Sequence, residues 1–154
     1  MDSVKFIEEL PNGIFLEDRN FLIPWGTPLF KLNQLPLPFN YLEPMNYDWE
    51  WLVPSCSILG GLQTSLSIRY SKDDGDQPLT SIGNKVLAGG SFETSVSKFR
   101  EMHKHVLAIA GEPASHKKND SSTWIIKNSK IYLYVWERFD WFCGISFENT
   151  GQAH

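Results

Sequence analysis

Residues 123–147 read TWIIKNSKIYLYVWERFDWFCGISF, and this stretch limits the fold more than any other part of the chain. Its runs at 123–127, 130–137 and 141–147 are rich in branched and aromatic residues, which fit a pleated surface. The connections are too short for a crossover. Asn128 and Ser129 make one turn and residues 138–140 the other, so the runs pair antiparallel as a meander. Inside it the side chains alternate. Ile131, Leu133 and Val135 share one face, and Tyr132, Tyr134 and Trp136 share the other. The aliphatic set is the natural core face. The role of the aromatic set is the open question.

Further strands precede the meander. Residues 62–70 alternate, with Leu62, Thr64, Leu66, Ile68 and Tyr70 inward against Gln63, Ser65, Ser67 and Arg69. Residues 49–53 place Trp49, Trp51 and Val53 on one face. Short strands are expected at 14–16 and 21–23, around a polar turn at 17–20. Residues 71–91 carry no long periodic pattern. They read as a long loop, with at most a short strand at 85–88, and loops of that length often serve function.

The main helix is predicted at about 92–110. Phe92, Val96, Phe99, His103, Val106 and Ala110 fall on one helical stripe. Ser91 or a neighbour opens it; Gly111 suits a left-handed C-terminal cap, and Pro113 follows as a stop. A helical turn is expected at 3–9. Another starts at Thr27 and Pro28 and carries Leu29, Leu32 and Leu35. Residues 36–44 are Pro-rich connection and 111–122 a polar loop. The fold class is therefore α+β: a single antiparallel sheet packed by one long helix and one or two short ones, in one domain over 1–154.

A net charge of −4 and pI near 5.5 argue against a binder of nucleic-acid backbones, which needs a basic face. No apolar run approaches the roughly 20 residues needed to span a bilayer. The start, MDSVKFIEEL, is acidic where a signal peptide is basic. Cys56 and Cys143 lack metal or disulfide-framework spacing and read as buried free thiols of a cytoplasmic protein.

Catalytic and cofactor signatures are weak. His103 and His105 are two apart on a helix, so they point about 160° apart and do not make a metal pair. His103 reads as a core or rim histidine with a hydrogen bond, and His116 has no evident partner. The acidic run after Ser71 reaches Asn84 where a calcium loop needs its final Glu. Gly89 and Gly90 precede a helix without the lysine of a phosphate-binding loop. Neither cysteine nor any serine sits in a nucleophile motif. No catalytic residue, metal or cofactor is assigned.

Three fates are open to Tyr132, Tyr134 and Trp136: covered by residues 36–47 and the N-terminal helix, exposed for recognition, or turned inward. The order FLIPWGTPLFKLNQL, a strand pair, a long helix ending AGEP, then STWIIKNSKIYLYVWER, resembles small α+β immunity proteins. These neutralise antibacterial toxins, including those of type VI and contact-dependent systems. The resemblance implies a cytoplasmic, non-enzymatic protein that blocks the active site of one cognate toxin. A basic, nuclease-type toxin domain would suit the acidity, with no direct binding of nucleic acid or membrane. The candidate contacts are Asp48, Glu50, Asp73, Asp74 and Asp76, with Tyr134, Trp136, Glu137 and Asp140. Two alternatives stand beside this: a ligand-binding protein or enzyme with a pocket near 71–91, and a homodimeric structural subunit built by edge-strand pairing.

Overall fold

Alternation and short connections in the C-terminal third build the larger of two sheets. The computed structural model describes residues 2–32, 34–36, 40–42, 48–71 and 79–150. In chain order the elements are α1 (Asp2–Glu9), β1 (Gly13–Leu16), a 3-10 turn (Glu17–Arg19), β2 (Phe21–Pro24), α2 (Leu29–Leu32), β3 (Asn40–Leu42), β4 (Asp48–Ile58) and β5 (Leu62–Ser71). Then come β6 (Ser81–Gly89), α3 (Phe92–Ala110), β7 (Ser115–Lys117), β8 (Ser121–Ile126), β9 (Ser129–Arg138) and β10 (Asp140–Asn149). The large sheet is antiparallel, with order β3-β4-β5-β6-β10-β9-β8-β7. The fold is α+β, as expected. The β1–β2 hairpin forms a second, two-stranded sheet where the sequence suggested only one.

α3 begins on its expected cap and ends at the expected glycine, whose ψ of −158° lies outside the left-handed helical region. The Ser91 hydroxyl accepts the Thr94 N–H at 3.1 Å, and Gly111, at φ +83°, donates its N–H to the Leu107 carbonyl. Val96, Phe99, Met102 and Val106 are buried against the sheet. α1 lies on the same side, with Phe6 edge-on to Phe147 at 5.4 Å. Phe99, Ile131, Leu133, Ile145, Phe147 and Trp124 belong to one continuous core cluster. Burying a side chain of this size is worth about 1.5–3 kcal/mol.

The small hairpin is tied to the large sheet by its turn. Glu17 accepts hydrogen bonds from the Ser57 hydroxyl and from the N–H groups of Gly60 and Gly61, at 3.0, 2.7 and 2.9 Å. Asp18 accepts the Ser57 N–H at 3.0 Å, and Arg19 donates to the Ser55 carbonyl at 3.1 Å. These carboxylates satisfy donors that the β4–β5 turn leaves free.

Several expectations need correction. The short strand expected at 85–88 is the end of β6, which starts at Ser81 and lies inside the sheet between β5 and β10, so much of the expected loop at 71–91 is strand. β6 shows no side-chain period because only Ile82 is fully buried and because the strand is bulged. Asn84 and Ala88, four apart, oppose Ile145 and Cys143, two apart, so β6 carries two extra residues. The polar loop at 111–122 contains β7, whose residues are all exposed and so leave no apolar signal. β4 outruns the expected 49–53, passing Pro54 by a bulge between Val53 and Cys56. α2 is a single turn, and the Thr27 hydroxyl donates back to the Pro24 carbonyl. Among the described residues, no helix is long and apolar enough to cross a membrane.

Candidate functional site

The pairing register sorts the sheet into two faces. Ile82, Cys143, Ile145, Phe147, Ile131 and Leu133 face the helices. Ser67, Gly83, Ser146 and Tyr132 lie in one row on the opposite face, with Gly144, Tyr134, Phe142 and Trp136 further along it. α1 packs on the aliphatic side, so it does not cover the aromatic row. Of the other suggested cover, residues 37–39 and 43–47 lie outside the described residues.

The aromatic rings are partly used by the sheet itself. Tyr132 and Tyr134 stack at 4.9 Å, and Trp136 tilts on Phe142 at 4.8 Å. A Cβ at Gly144 would come within 2.8 Å of the Tyr134 ring, and one at Gly89 within 2.5 Å of the Phe142 ring. Tyr134 and Phe142 therefore lie over glycine backbone. Trp136 donates to the carbonyl of Lys85, within the β6 bulge. Tyr134 and Trp136 stay half-buried and Tyr132 is exposed.

The end of the sheet at β9–β10 is different. Arg138 pairs with Asp140, so Phe139 alone connects the strands, at φ +67°. A bulky side chain rarely takes that conformation. Its ring is fully exposed, at 101%. The Arg138 guanidinium lies 5.8 Å from it. Glu137 and Asp140 are exposed on either side, and Asp140 accepts the Trp141 N–H. Phe92, also exposed, meets Trp141 edge-on at 4.8 Å.

The structure thus gathers Trp136, Glu137 and Asp140 at one end of the sheet, with Tyr134 two residues back along β9. Asp48 and Glu50 belong to β4, opposite Ser71 and Arg69. Leu52, Ser67, Gly83, Ser146 and Tyr132 align across the strands. From that row Glu50 lies two residues toward one end and Trp136 four toward the other, about 20 Å apart along the strand direction. These acidic positions and the hairpin end do not form one patch. Asp73, Asp74 and Asp76 lie outside the described residues. Phe139 was missed, although a large apolar residue between two strands, where a turn residue is expected, was the available signal.

A second cluster was also missed. His103 on α3 and His116 on β7 both place Nδ1 against the Ser122 hydroxyl, at 2.8 and 2.7 Å, with ring centroids 4.4 Å apart. Ser122 is buried and its hydroxyl has one proton to donate. One imidazole accepts that proton and the other donates its Nδ1–H. The His103 pKa is lowered from its ordinary value by burial first and by His116 second, against an opposing pull from Glu112. His105 turns away to the Leu59 carbonyl. Cys56 and Cys143 are buried free thiols, and burial pushes each up to about 12. Among the described residues, no group of three or more His, Cys, Asp or Glu side chains is placed to hold a metal ion.

Compared with family models, curated proteins and solved structures, the chain has no significant match.

Proposed function

We propose that this is a non-enzymatic binding protein that docks the β9–β10 end of its sheet into a cleft of a partner protein. The partner is a cognate toxin domain of the kind that immunity proteins neutralise, a class that rests on the sequence resemblance. The supporting observation is Phe139, a fully exposed ring held at φ +67° on a one-residue connection. Exposing a Phe forgoes about 1.5–3 kcal/mol of burial, and a left-handed backbone costs about 1–2 kcal/mol more. Insertion into an apolar pocket recovers the first term. Trp136, three residues back on β9, and Phe92, edge-on to Trp141, supply further apolar area at the same end of the sheet. Glu137 and Asp140 would complement a basic rim and speed encounter.

The test is calorimetric titration against the toxin domain encoded beside this gene, with protection from that toxin as a growth readout. Phe139→Gly should weaken binding at least about tenfold, the equivalent of losing one buried aromatic anchor. Glu137→Lys should mainly slow association. Full affinity in Phe139→Gly, Trp136→Ala and Glu137→Lys alike would remove this surface from consideration.

A further inference from the structure

The sheet face opposite the helices holds a half-open cleft of about 130 Å3, beside the β6 bulge and well inside the strands. Its lining includes Ser67, Ser81, Gly83, Lys85, Tyr134 and Ser146. Glycine creates it. A Cβ on Gly83 would come within 2.6 Å of the Ile145 carbonyl, so the floor there is bare backbone.

The lining is rich in donors. Ser81 and Ser146 face each other at 3.4 Å. Among the described residues, the hydroxyls of Ser67 and Tyr134 have no hydrogen-bond partner, and Lys85, which also lines the cleft, has no carboxylate partner. Among the described residues, no Asp or Glu lines the cleft. Glu148, on the strand that carries Ser146, is bound to Lys130 at 2.9 Å. Burial pushes the Tyr134 hydroxyl above its ordinary pKa, with smaller contributions from Tyr132, Cys143 and Glu148, so it stays protonated and able to donate. Hydroxyl donors and a lysine, with no carboxylate among the described lining residues, match an oxygen-rich anion.

We propose that this cleft binds a small molecule through a carboxylate or phosphate group, held by the Ser67 and Tyr134 hydroxyls and the Lys85 ammonium. The site is separate from the hairpin end, and its occupancy does not depend on the partner proposed above.

The test is an NMR titration of the isotope-labelled full chain with inorganic phosphate and, separately, with acetate, at constant ionic strength against a sodium chloride control. The expected result is a saturable shift of the Ser67, Gly83 and Ser146 amides with at least one of the two anions. Ser67→Ala, Tyr134→Phe and Lys85→Gln should each weaken that binding by about threefold or more, the range for one lost hydrogen bond. Tyr134→Phe keeps its ring over Gly144, so it separates lost binding from lost packing. Amide dispersion and melting temperature report whether each variant is folded. Shifts that do not saturate, that chloride reproduces, or that keep their affinity in all three folded variants overturn the assignment.

Discussion

Trp136 donates its indole N–H to the main-chain carbonyl of Lys85 at 2.9 Å. The two residues sit on β9 and β6, with β10 between them. The bulge in β6 takes that carbonyl out of the regular ladder, and the indole reaches across to it. The ring therefore has a structural duty on the face first suspected of binding. Trp136→Phe keeps most of the contact with Phe142 but orphans the carbonyl. Unfolding in urea should show a loss of about 0.5–1.5 kcal/mol with an unchanged slope. An unchanged midpoint would mean that water satisfies the carbonyl equally well.

The Glu17 carboxylate carries the Ser57, Gly60 and Gly61 donors of the β4–β5 turn. Removing it leaves those donors to compete for water. Glu17→Ala should lower stability by about 2–3 kcal/mol, and Glu17→Gln by less, since the amide oxygen still accepts. Chemical denaturation of the three proteins side by side decides this. Equal midpoints for Glu17→Ala and the parent would show that the turn holds without the clamp.

Phe139 should respond in opposite senses to two measurements. Glycine takes φ +67° without the steric cost that Phe meets, while losing more freedom on folding. Phe139→Gly should thus be neutral or more stable by up to about 1 kcal/mol, even as partner affinity falls. A clear drop in melting temperature would instead give the ring a role within the fold.

The paired histidines predict a loss of stability in mild acid. His103 titrates lower folded than unfolded, where its ordinary value is 6.5. The unfolded chain then binds the proton more readily. The stabilisation is fully present above pH 6.5 and is lost as pH falls through the folded value. Geometry gives the same sign. Two imidazolium rings would both donate to Ser122, stranding its hydroxyl proton beside two like charges. Melting temperature should decline from pH 7 toward pH 5, and His103→Gln should flatten that decline. The His103 ring resonance, followed by NMR, should titrate below the ordinary range. A ring titrating at or above 6.5 would contradict this.

Elements that repeat a local pattern are legible in the sequence. α3 carries its stripe, its Ser91 cap and its Gly111 stop within one segment. Ile131 and Leu133 fall buried beside exposed Tyr132 because a strand alternates by covalent geometry. β6 was legible only as the short strand at 85–88, and β7 not at all. Ser81–Gly89 is held by ladder bonds to β10 and by glycines that permit close approach, and Ser115–Lys117 is an exposed edge. Backbone pairing leaves no side-chain period to read.

The sites divide in the same way. Trp136, Glu137 and Asp140 are neighbours along the chain, so their meeting at one end of the sheet was implicit in the sequence. The separation of Glu50 from that end was not, because it depends on the strand register across β4, β5, β6, β10 and β9. His103 and His116 meet at Ser122 only because α3 packs over the β7–β8 edge. By itself the sequence determined the fold class, the long helix and the alternation of the meander, since these follow from bonds and contacts within a few residues. Tertiary structure alone decided which residues share a face, which glycines lie beneath rings and which hydroxyls remain free, since each depends on strands far apart in the chain.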